Sequence, residues 1–174
     1  NEVEGELSSG TLKLNAIVDL SDQQTINVNI LTHLKSQRII QLITKEGKNF
    51  KEANKQTQKE LLKAFGLERY VATDASQFSI TSGTDEAGAL IAVSALILCD
   101  RTEAEITEYL SRLTTEFSAS GAFSTATMNQ IKEDRDLLNS ELANITENII
   151  RRYEELGEKV EVKDLAYYFD WNDD

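Results

Sequence analysis

The sequence predicts a mainly α domain: a bundle of about five helices, preceded by a short β-strand or hairpin remnant and closed by a docked aromatic C-terminal tail. Three observations carry this prediction. The 174 residues include no proline, although average usage of about 5% would supply roughly nine, so no helix need be interrupted. Apolar residues recur in steps of three and four along most of the chain. Most joints between periodic segments place a capping residue in front of a segment or glycine behind one.

At the start, Leu12, Leu14, Ala16, Val18 and Leu20 share one parity, broken only by Ile17, which is a strand pattern. A lone strand, or a hairpin turned at Ser9-Gly10, is marginal in water. This stretch is therefore expected to pair outside the chain or to lie against the helices. Residues 1–25 read as the strand remnant of a preceding module or a linker, and residues 26–174 as the helical domain.

The first helix is expected over 29–46, capped by Asn27 or Asn29, with Ile30, Leu31, Leu34, Ile39, Leu42 and Ile43 on its apolar face. Gly47 suits the left-handed position behind it. Asn49 with Glu52 resembles a capping box and opens a second helix over 50–65 that buries Phe50, Ala53, Leu61 and Phe65 before Gly66. So short a link makes the two helices antiparallel neighbours. Residues 68–84 are polar but contain Tyr70, Phe78 and Ile80. An ordered loop of this length is often functional, and the plainer reading is a surface crossover pinned by Phe78 and Ile80.

Between Ala87 and Cys99 only Gly88 and Ser94 are not apolar. A helix over 85–99 that is hydrophobic all round belongs at the centre. Thr102 with Glu105 forms another capping box, and a helix over 103–117 turns Ile106, Tyr109, Leu110, Leu113 and Phe117 inward. From Ser124 the spacing predicts a helix over 125–156 burying Met128, Ile131, Leu138, Leu142, Ile145, Ile149, Tyr153 and Leu156, with Arg135 in the one gap. At 1.5 Å per residue it would be about 48 Å long, against about 40 Å for a compact body of this size. It must project or bend near Asn139-Ser140. The tail from Val160 concentrates Tyr167, Tyr168, Phe169 and Trp171 and is expected to dock.

The formal charge of −12 is concentrated at the ends, −4 over residues 1–25 and −6 over residues 154–174. The nearly neutral body offers no basic stripe for phosphates, which excludes nucleic acid as the expected partner. The longest near-apolar stretch is too short to span a bilayer. Cys99 is the only cysteine, so it can form no internal disulfide and reads as a small buried hydrophobe. His33 is the only histidine, which removes two-histidine metal sites, and its wheel position opposite Leu31, Leu34 and Leu42 is peripheral. No metal or cofactor is expected. Asp170, Asn172 and Asp174 match the first alternating oxygens of a calcium loop, without its glycine and distal glutamate. Asn144-Ile145-Thr146 is formally a glycosylation sequon inside a helix and is discounted.

Arg38 falls on the apolar face of the first helix. A guanidinium there must snorkel or meet a carboxylate or carbonyls. Together with Tyr70 and Phe78 it makes up the candidate binding residues. No catalytic set is legible. With thirty acids in the chain, the composition permits carboxylate-only catalysis, but nothing in the sequence places two acids in a shared cleft.

Residues Asn27 to Leu34, the following Arg38, Gly47 with Phe50 to Ala53, and Leu62 to Leu67 resemble a helical region of uncharacterised surface lipoproteins of Bacteroides-type bacteria. There it follows a β-sandwich similar to carboxypeptidase regulatory-like modules. Tyr167 to Trp171 is in keeping with it. The resemblance implies an extracytoplasmic location at the cell surface or the periplasm-facing outer membrane. It also implies a lipid attached upstream of Asn1, which would account for a chain that does not begin with methionine, but no activity. The leading functional expectation is a non-enzymatic module that binds a protein or glycan partner, or spaces other modules. The alternative is a carboxylate-dependent enzyme acting on glycans, which would need a pocket with two converging acids. A third reading uses the long last helix as the seam of an obligate oligomer.

Overall fold

The computed structural model describes residues 3–5, 10–21, 25–70 and 72–170. Among these residues the chain forms seven α-helices: α1 (Ile30–Glu46), α2 (Phe50–Ala64), α3 (Asp85–Leu98), α4 (Glu103–Ser120), α5 (Thr125–Leu138), α6 (Leu142–Glu155) and α7 (Ala166–Phe169). Two 3-10 turns, Ala75–Gln77 and Ile80–Ser82, lie between α2 and α3.

The caps form as their residue types dictate. Asn29 accepts from the Thr32 amide while the Thr32 hydroxyl accepts from the Asn29 amide, each at 2.9 Å. Asn49 with Glu52 and Thr102 with Glu105 close the same reciprocal arrangement at α2 and α4. Each satisfies amides that a helix start leaves without partners. At the end of α2, Gly66 takes φ 63°, and the amides of Gly66 and Leu67 donate back to Lys63 and Leu62 at 3.0 and 2.8 Å. Only glycine adopts that left-handed backbone without strain.

Helix α3 is the axis of the core. Its buried residues run from Ala87 to Val93 and from Ala95 to Leu98 without regard to face, because α1, α4, α5 and α7 all pack on it. Each fully enclosed Leu or Ile there contributes roughly 1.5–3 kcal/mol. Cys99 is buried directly behind it, and burial first, then the nearby Asp134 charge, pushes its thiol up to about 11.

Two expectations are corrected. The alternating stretch at the start forms no strand among the described residues. Burial alternates from Thr11 to Ala16, as an extended backbone produces, but no second strand lies beside it. Leu12 and Leu14 pack on the main core, and Ile17 packs on a smaller cluster of Ile39, Leu42 and Ala53. The stretch is an extended strap on the helices. Ser9, half of the expected hairpin turn, lies outside the described residues.

The expected last helix is two helices, α5 and α6, and with the short α7 the count among the described residues is seven and not five. The inward stripe runs Ile131, Leu138, Leu142, Ile145, Ile149 across the break, which is why the periodicity reads as continuous. Asn139, Ser140 and Glu141 are weak formers or bring no side-chain cap, and the chain bends there, with the Glu141 amide donating to Leu138 at 2.8 Å. No single continuous helix remains to serve as an oligomer seam. Asp134, and not Arg135, faces inward at the gap in the stripe.

The aromatic tail is docked. Tyr168 and Phe169 are buried, and Tyr168 donates to Asp85 at 2.8 Å at the start of α3. Trp171, Asn172 and Asp174 lie outside the described residues. Gly88 is what lets the tail approach, because a Cβ there would overlap the Tyr168 ring. Alanine favours a helix over glycine by about 1 kcal/mol, yet the overlap reverses the sign. Gly88→Ala is expected to destabilise by about 1–3 kcal/mol in chemical unfolding. A gain in stability would show that the tail does not sit on α3.

Candidate functional site

Each of the three candidate binding residues, Arg38, Tyr70 and Phe78, is engaged by contacts within the fold. Arg38 is 6% exposed. Its Nε and Nη2 donate to the Glu60 carboxylate of α2 at 3.0 and 3.2 Å, and Nη1 reaches the Ser118 and Ala119 carbonyls of α4 at 3.4 and 3.5 Å. Glu60 lies where a Cβ on Gly121 would be. The guanidinium thus clamps three helices, as its place on the apolar face requires. Phe78 is 2% exposed and belongs to the core. Tyr70 donates to the Tyr167 carbonyl at 2.8 Å and packs edge-on against Tyr168 with ring centres 5.1 Å apart, so it holds the tail.

Residues 68–84 are a pinned crossover whose polar work is internal. Asp74 accepts from Lys35 Nζ at 2.7 Å and from Asn54 at 2.8 Å, and its other oxygen accepts from the Ser76 amide at 3.0 Å. Lys35 is 2% exposed and also donates to Gln58 at 2.6 Å. Burial pushes the Asp74 carboxyl up, but the Lys35 charge and the donors from Lys35 and Ser76 outweigh it and hold it at about 2. A carboxylate depressed in the folded state stabilises above its unfolded value and loses that contribution as pH falls through the folded one. Between about pH 4 and pH 2 the wild type is expected to lose about 1–2 kcal/mol more than Asp74→Asn, after allowance for partial solvent screening. Parallel urea titrations of the two across that window check this, and equal losses would contradict the assignment.

A second buried ion pair went unnoticed in the sequence. Arg101 donates to Asp134 of α5 at 2.5 Å and, through Nη1, to the carbonyls of Leu96, Ile97 and Cys99 at 3.0, 3.4 and 3.2 Å. Its guanidinium lies 4.1 Å over the Tyr109 ring. A cation two residues behind an apolar helix is the signal that could have found it, since the last carbonyls of α3 need donors.

A groove opens between the strap, α1 and α4. One wall is Thr11, Leu12, Lys13 and Asn15 of the strap, another is His33, Ser36 and Gln37 of α1, and the third is Thr107, Leu110, Ser111, Thr114 and Thr115 of α4. Its volume is about 560 Å³, within the range of small-ligand pockets. Burial sets its depth: Ser36, Leu110 and Thr114 form the floor, and Lys13, Gln37, Ser111 and Thr115 form the rim. Thr114 is 7% exposed, and its Oγ1 has no hydrogen-bond partner. A buried hydroxyl without a partner is uncommon in a folded protein.

His33 shapes the α1 wall without charging it. Its Nδ1 accepts from the Asn15 amide at 3.1 Å, and burial lowers its pKa. Among the described residues Lys13 is then the one charged side chain on the walls, and no carboxylate lines them. The described lining does not include the two converging acids that a carboxylate-dependent glycosidase uses. What it offers is hydroxyls, amides and two leucines, a surface that binds by hydrogen bonding and shape. The hydroxyls of Thr107, Ser111, Thr114 and Thr115 fall in steps of four, three and one along α4. That spacing puts them on one face, and it is the part of the site legible from sequence.

No family model matches the chain, and neither the curated proteins nor the solved structures yield a match. Among the described residues no helix is long and apolar enough to cross a membrane.

Proposed function

We propose that this chain is a non-enzymatic binding module that holds a protein or glycan partner in the groove between the strap, α1 and α4. Its location as part of a cell-surface lipoprotein rests on the resemblance of Asn27 to Leu34, Phe50 to Ala53 and Leu62 to Leu67 to the helical region of such proteins. The observation that carries the binding reading is a groove of about 560 Å³ whose lining includes hydroxyls, two amide side chains and an orphaned Thr114 Oγ1. Arg38, Tyr70 and Phe78, the earlier candidates, are held by the fold itself, so we assign the binding role to the groove.

Ser111 is exposed on the rim, so Ser111→Trp fills the groove without disturbing the core. Pooled capped hexapeptides and pooled neutral oligosaccharides, read by ligand-observed NMR, are the probes. The wild type is expected to bind members of one pool, and Ser111→Trp to lose that binding at least tenfold with its melting temperature within a few degrees of wild type. Undiminished binding by Ser111→Trp would remove the groove from the function. Cleavage of a bound oligosaccharide would replace the binding module with an enzyme.

A further inference from the structure

The strap has two edges, and two hydrogen bonds say which way they face. In an extended chain the N–H and C=O of one residue point to the same edge, and neighbouring residues point to opposite edges. The Asn15 amide donates to His33 on α1, and the Gly10 amide donates to Glu103 of α4 at 2.9 Å. The Gly10 contact pins the start of the strap to α4, and, since the chain bends there, the Asn15 contact sets the register beyond it: odd-numbered residues turn their backbone polar groups towards α1, and even-numbered ones towards the opposite edge. The groove's described α4 wall begins at Thr107. There the amides of Leu12 and Leu14 donate to no atom of the described residues.

The two walls also agree in length. From Thr107 to Thr115 the helix advances about 12 Å at 1.5 Å per residue. From Thr11 to Asn15 an extended backbone advances about 13 Å at about 3.3 Å per residue. Between them is room for about four residues of a third, extended backbone. The surface chemistry fits such an occupant better than a sugar. The described lining has no aromatic platform and no carboxylate to grip sugar hydroxyls. On one side it has the strap, whose Leu12 and Leu14 amides have no partner among the described residues, on the other the side-chain hydroxyls of α4, and Leu12 and Leu110 supply apolar surface.

From this we infer that the groove takes an extended polypeptide, uncharged except for one acidic side chain opposite Lys13, seated as an added strand along Thr11 to Asn15. The inference rests on the binding reading above and names its ligand class. Backbone pairing supplies affinity in this mode, and the pockets for alternate side chains supply specificity. The strap then completes, with a partner, the strand pairing that its alternating sequence anticipates.

The test uses the whole chain and capped hexapeptide mixtures with one fixed aspartate, set against maltohexaose and chitohexaose. Peptide binding is expected to slow hydrogen exchange at the Leu12 and Leu14 amides at least tenfold. Methylating the peptide's backbone nitrogens is expected to weaken binding at least tenfold. Lys13→Glu is expected to reverse the preference, rejecting the fixed-aspartate mixture and accepting one with a fixed lysine. Sugar binding without peptide binding would overturn the inference and leave the groove reading standing. Binding of neither would overturn both. Peptide binding that leaves Leu12 and Leu14 unprotected would overturn the added-strand geometry.

Discussion

Arg101→Ala is expected to cost about 3–5 kcal/mol, the loss typical of a buried pair deprived of one partner. The Asp134 side chain is 4% exposed, and without Arg101 it would keep the Gln130 amide donor at 3.1 Å and no opposite charge. The carbonyls at the end of α3 would lose their donor as well, and Tyr109 would lose the nearer of the two guanidinium groups over its ring, Arg112 remaining at 5.1 Å. Near the middle of that range, the melting temperature of a chain this size falls by roughly 8–16 °C. Arg101→Lys keeps the charge but cannot fork between a carboxylate and several carbonyls, so about half the loss should remain. Thermal and urea unfolding of the two variants decide it, and an Arg101→Ala melting temperature within 2–3 °C of wild type would sink the assignment.

Arg38→Ala is expected to cost about 3 kcal/mol, at the lower end of the same range. The difference has a physical cause. The Glu60 side chain is 22% exposed and also accepts from Gln56 at 2.6 Å, so the carboxylate left behind would be partly solvated. Arg38→Met combined with Glu60→Leu replaces the pair by apolar groups of similar length and is expected to come within about 1 kcal/mol of wild type. If the double variant instead loses as much as Arg38→Ala, the charge is not what the site requires. A partner-binding role for Arg38 makes the opposite prediction, with stability unchanged and binding lost.

The helical architecture was legible because each signal is local. Asn49 with Glu52, Thr102 with Glu105, and glycines at positions 47, 66 and 121 stop and start helices through atoms within a few residues. The apolar run before Cys99 had to be central because no face of it tolerates water. The missed features depend on what lies across space. Strand formation by Leu12 to Leu20 needs a second strand, and sequence alternation cannot say that one is missing. The break near Asn139-Ser140 was one of two outcomes that helix length left open, because the step of four from Leu138 to Leu142 is the same in a straight helix and a bent one. Asp134 faces inward because Arg101 awaits it from another element, whereas the wheel alone placed Arg135 in the gap. The groove is assembled from segments about 20 and 90 residues apart in sequence, and only the hydroxyl spacing on α4 foreshadowed it.

The central claim is that the groove between the strap, α1 and α4 is where this protein meets its partner. Amide chemical-shift mapping of the uniformly labelled chain, titrated with the pooled hexapeptides and then the pooled oligosaccharides, tests it most directly. The account predicts shifts confined to Leu12 through Asn15, His33 through Gln37 and Thr107 through Thr115, and their disappearance in Ser111→Trp. Shifts centred instead on Tyr70 and the exposed Tyr167, or no shift with either pool at millimolar concentration, would contradict it.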